Sequence, residues 1–93
     1  MNSRVLFSQR FNRELNALEF PDELTEKTKA VSTVFGVSRH LANSFIFGHV
    51  LPSEEQLMKI SEILEVCPRW LSGATDKKKA YSVREIEGME EVV

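Results

Sequence analysis

Residues 35–48 read Phe35-Gly36-Val37-Ser38-Arg39-His40-Leu41-Ala42-Asn43-Ser44-Phe45-Ile46-Phe47-Gly48. Glycine at Gly36 is suited to stop a helix in the left-handed cap conformation, and Ser38 two residues later is a favourable N-cap. The stretch therefore predicts a helix ending at Phe35, a tight turn, and a short helix from Arg39 to about Phe47 closed by Gly48. On the second of these helices Ala42 and Phe45 face the core. Helical spacing then places Arg39, His40, Asn43 and Ser44 on the exposed side, with Phe47 exposed by the same periodicity.

The same reading extends in both directions. Upstream, Val5, Leu6, Phe7, Phe11, Leu15 and Leu18 recur at helical spacing with Arg10, Arg13 and Glu14 between them, which predicts a first amphipathic helix ended near Pro21. A second runs over Thr25 to Phe35 with Val31, Val34 and Phe35 as its buried face. Downstream, Ser53-Glu54-Glu55-Gln56 has the pattern of a capping box and opens a fourth helix that buries Leu57, Met58, Ile60, Ile63 and Leu64. Pro68 opens a short fifth helix carrying Trp70 and Leu71 and ended by Gly73. Trp70 is expected to be a core residue. No strand-like alternation exceeds a few residues near Tyr81 and Val83. The expected class is all-α, with five helices in a domain over residues 1–73. Residues 74–93 follow as a solvated linker, Asp76 to Lys79, and an acidic tail expected to be disordered or docked on a partner surface.

Composition narrows the function. A chain of 93 residues builds one modest core. Cys67 is the only cysteine, so no internal disulfide can form. It reads as a small buried residue before Pro68, with a redox switch as the lesser reading. His40 and His49 provide no metal-ligand spacing, so no metal is expected. Arg4 and Arg10 interrupt the N-terminal stretch before it is long enough for a signal peptide or membrane span, which suits a cytoplasmic protein without membrane contact. No nucleophile, base and orienting group appear as a set, and there is no glycine-rich phosphate loop. Neither an enzyme nor a cofactor or small-molecule substrate is expected. The chain carries 12 basic and 14 acidic residues. Setting aside Arg84 and the glutamates Glu85, Glu87, Glu90 and Glu91 leaves 11 basic and 10 acidic residues. Between Gly36 and Pro52 there is no acid at all, so this segment does not repel phosphate.

Two short helices joined through a glycine turn make a helix-turn-helix, whose second helix projects a polar face into a DNA major groove. Arginine can bond guanine bidentately, and His40, Asn43 and Ser44 can bond base edges. The longer stretch FGVSRHLANSFIFGHVLPSEEQLMKISEILEVCPRWLSG resembles the lambda-repressor-like helix-turn-helix domains of phage repressors and Cro-type regulators, with weaker similarity around Phe7 to Leu15. The resemblance implies a five-helix domain, dimeric on a double-stranded DNA operator, with Arg39, His40, Asn43 and Ser44 at base-reading positions. Thr28, where the family often has glutamine, is the expected phosphate contact of the second helix, joined by Ser38 and by His49 in the following loop. Two departures from the family pattern stand out. The connection from Phe20 to Lys27 is slightly longer and carries Asp22, Glu23 and Glu26. Phe47 stands where a polar residue is common, beside Ile46, Val50 and Leu51, and these four make an expected apolar dimer or partner interface. The expected function is that of a sequence-specific transcriptional regulator of the phage or prophage repressor/Cro type. The rival is a protein-interaction module on the same scaffold, antirepressor-like or antitoxin-like, using that patch and the acidic tail.

Overall fold

A computed structural model describes residues 3–77, which form α1 (Ser3–Ala17), α2 (Leu24–Phe35), α3 (Arg39–Phe47), α4 (Glu54–Leu64) and α5 (Pro68–Leu71), with no strand among them. Lys78, Lys79 and the acidic tail from Ala80 onward lie outside the described residues. No helix among the described residues is long and apolar enough to cross a membrane.

Local chemistry sets the helix ends. The Glu23 carboxylate caps α2 by accepting from the Glu26 N–H at 2.8 Å. Both halves of the capping box form at α4: Gln56 N–H donates to Ser53 Oγ at 3.2 Å, and Ser53 N–H donates to Gln56 Oε1 at 2.9 Å. Pro68 opens α5, where its missing N–H leaves no bond unmade. Two helices close on non-glycine residues in the left-handed region, α1 followed by Glu19 at φ 61° and α4 by Glu65 at φ 57°.

Phenylalanines from α1 hold the centre. Phe7, Phe11 and Leu15, four residues apart, turn one face of α1 into the core with no exposure. Phe11 meets Phe35 of α2 at 5.5 Å between ring centroids and Phe45 of α3 at 6.4 Å, while Phe7 meets Phe45 edge-on at 5.7 Å. Such pairs add about 0.5 to 1.5 kcal/mol each beyond the burial of their area. One α1 face thus grips α2 and α3 together.

The apolar faces are narrower than the spacing predicts. Val34, Met58 and Ile63, expected in the core, are exposed, as are Val5 and Leu18. On α4 the buried residues Ile60, Ser61 and Leu64 form a narrow stripe, and Met58 and Ile63 sit on its shoulders. Leu18 lies beyond the last turn of α1. Trp70 is buried as expected, with the Arg10 guanidinium 4.9 Å from its ring centroid. Cys67 is half-buried.

The domain also extends past Gly73. Arg10 donates to the carbonyls of Trp70 and Thr75, the latter at 3.0 Å, and pairs with Asp76 at 3.2 Å. Ala74 and Thr75 donate their N–H groups to the Arg69 carbonyl. Residues 74–76, expected as linker, are tied to α1 and α5.

Candidate nucleic-acid interface

The α2–α3 connection is three residues long and fastened by backbone and side-chain hydrogen bonds. Gly36 adopts φ 67°, ψ 39°, a conformation that only glycine enters without strain. Its N–H and that of Val37 both return to the Ser32 carbonyl, the latter at 3.2 Å. Ser32 Oγ donates to the Val37 carbonyl at 2.6 Å. Ser38 Oγ then accepts from the Leu41 N–H at 3.1 Å and starts α3. With Phe45 locked among the α1 rings, α3 is presented rigidly at both ends.

Arg39 and His40 are exposed and Asn43 is half-exposed. Their side chains make no hydrogen bond or ion pair with the described residues. Arg39 and Asn43, four residues apart, lie one turn above the other, and His40 flanks them. A cation, an imidazole and an amide therefore converge on one face with all their donors unspent, and no acid lies between Gly36 and Pro52 to oppose phosphate.

Three expected site residues are corrected. Ser44 is only 7% exposed, and its hydroxyl donates to the His40 carbonyl at 3.1 Å, so it does not present itself to bases. Ile46, also 7% exposed, belongs to the core and not to the apolar patch. Ile46 lies where α1 meets the last turn of α3: Ser8 Oγ and Asn12 Nδ2 donate to the Ile46 carbonyl at 2.6 Å and 2.9 Å. A Cβ built at Gly48 would lie 3.2 Å from both the Arg4 carbonyl oxygen and Ser8 Cβ, so glycine permits the approach. Thr28 is 9% exposed, and its Oγ1 is buried with no hydrogen-bond partner among the described residues, which removes it as a phosphate contact. Its spacing explains this, since Thr28, Val31 and Phe35 share the inward face of α2.

The α2 N-terminus is also closed to an outside anion. Glu23 occupies it, and the bonds from the Glu26 and Thr25 N–H groups hold the Glu23 carboxyl below its ordinary value of 4.5. Ser38 and His49 remain exposed at opposite ends of α3. Arg4, absent from the expected contact residues, donates to the His49 carbonyl at 3.3 Å and brings a guanidinium beside that loop from a position 45 residues away. Of the expected apolar patch, Phe47, Val50 and Leu51 remain exposed. No group of three or more His, Cys, Asp or Glu side chains among the described residues is placed to hold a metal ion.

Comparison of the chain with protein-family models, with curated proteins and with solved structures finds no match in any of the three.

Proposed function

We propose that the chain is a sequence-specific DNA-binding transcriptional regulator. In this reading α2 and α3 form a helix-turn-helix of the lambda-repressor-like kind, and α3 enters the major groove of a double-stranded operator. The observation that carries it is the unpartnered set Arg39, His40 and Asn43 on a helix fixed by its caps and by Phe45. Arg39 is suited to a bidentate bond with guanine and Asn43 to one with adenine. Ser38, His49 and Arg4 are the proposed phosphate contacts, and they position the helix without reading sequence. A near-neutral domain with so few cations gains little from phosphate alone, so two copies on two half-sites supply the affinity. Val50 and Leu51 are the proposed contact between copies.

The test is selection of sites from random duplex DNA, followed by binding to the recovered sequence across a salt series. The expected result is an inverted repeat with half-sites about 34 Å apart and affinity that falls as salt rises. Recovery of no sequence preference, with salt-independent retention on a DNA column, would overturn it. That outcome would favour a protein-interaction module using the exposed Val50 and Leu51.

A further inference from the structure

Phe47 is 51% exposed at the end of α3, whereas Phe7, Phe11, Phe35 and Phe45 are buried and Phe20 is partly buried. At about 100° per residue, Asn43 and Phe47 both fall within the sector bounded by Arg39 and His40. The buried residues Ile46 and Ser44 lie just outside that sector on either side. Phe47 therefore projects from the same narrow strip as the polar residues and not from a separate apolar face. Its ring is stacked on His49 at 5.9 Å between centroids and 23° between planes, which restrains its orientation. Val50 and Leu51 lie beyond Gly48, off the helix.

This placement decides between occupants. A protein surface closing over Phe47 would also cover Asn43 and His40, which sit beside it in azimuth. A duplex groove covers all of them at once and offers one apolar group at base edges, the thymine methyl. Arg39 and Phe47 are about 12 Å apart along the helix axis, a span of about three to four base pairs. Resting on the DNA-binding reading above, we propose that Phe47 is a specificity-determining residue that packs on a thymine methyl at the end of the half-site opposite the base read by Arg39. Phe47 is then removed from the contact between copies, which is left to Val50 and Leu51.

The test uses the full chain and the duplex recovered by selection with it. Each thymine is replaced in turn by deoxyuridine, which deletes the methyl group and keeps every hydrogen bond. Wild type should lose about fourfold in affinity at one or two thymines per half-site, the worth of burying one such carbon. Phe47→Ala should bind the thymine and deoxyuridine duplexes equally, and Phe47→Leu should keep part of the difference. Circular dichroism and melting of both variants should match wild type, since the side chain lies outside the core. The proposal is overturned if deoxyuridine has no effect at any position or the same effect in Phe47→Ala. It is also overturned if Phe47→Ala shifts the chain toward monomer in sedimentation and leaves the thymine preference unchanged. Failure to recover any preferred duplex would instead overturn the DNA-binding reading, and this proposal with it.

Discussion

The Ser8 hydroxyl of α1 donates to the main-chain carbonyl of Ile46 at 2.6 Å, joining residues 38 positions apart in a buried hydrogen bond. Asn12 Nδ2 donates to the same oxygen at 2.9 Å, so the last turn of α3 is pinned by two side chains from one face of α1. Ser8→Ala removes one donor and leaves the carbonyl with the other. The expected loss is about 1 kcal/mol in urea denaturation. Adding Asn12→Ala should cost more than the sum of the single losses, because the double variant leaves a buried carbonyl without either donor. Strict additivity would show that the two bonds do not share this task.

Gly48 and Gly36 provide a second test, since both have positive φ but different surroundings. An alanine methyl at Gly36 meets only the flexible end of Lys59, at 3.1 Å, whereas at Gly48 it meets α1 backbone and Ser8 Cβ at 3.2 Å. Gly36→Ala should cost about 1 to 2 kcal/mol from conformation alone. Gly48→Ala should cost distinctly more and loosen α3 against α1. Equal losses in thermal unfolding would contradict the close approach.

The reverse change is expected to stabilise. Glu19 and Glu65 hold φ of 61° and 57°, and both residues are exposed. Glycine at either position should raise stability by a few tenths to about 1 kcal/mol, the relief of strain being partly offset by a freer unfolded chain. A fall in melting temperature for both variants would contradict the left-handed assignment.

The elements were legible in the sequence because their signals are local. Gly36 and Ser38, Gly48, the Ser53 to Gln56 box and Pro68 act on their own neighbours, and α3 spans Arg39–Phe47 as its caps imply. The exposed site was legible only in part. Ile46 is held by α1, which is far away in the chain and whose crossing point no spacing within α3 reveals, and Ser44 turns its hydroxyl back to the His40 carbonyl. Thr28 was misplaced although its signal was present: it repeats with Val31 and Phe35 at three and seven residues, an inward face that the expected phosphate role overrode. The hold of Arg10 on Thr75 and Asp76 spans more than 60 residues and has no local signature.

Acid should weaken α2 through Glu23. Its folded carboxyl titrates below the ordinary value of 4.5 because it accepts the Glu26 and then the Thr25 N–H. A depressed carboxyl contributes stability above its unfolded pKa and loses it as pH falls through the folded one. The stability difference between wild type and Glu23→Gln should therefore be larger at neutral pH than at pH values below the carboxylate range. A difference that does not change with pH would show that the cap bond is no stronger for the carboxylate than for an amide.

The proposed reading role of α3 is tested most directly by comparing Arg39→Ala with wild type on the selected duplex and on a random duplex of equal length at one salt concentration. The account predicts a loss of about 1 to 3 kcal/mol on the selected duplex, relaxed preference at one base pair of each half-site, and little change on random DNA. Equal weakening on both duplexes would contradict it and reduce Arg39 to a phosphate contact.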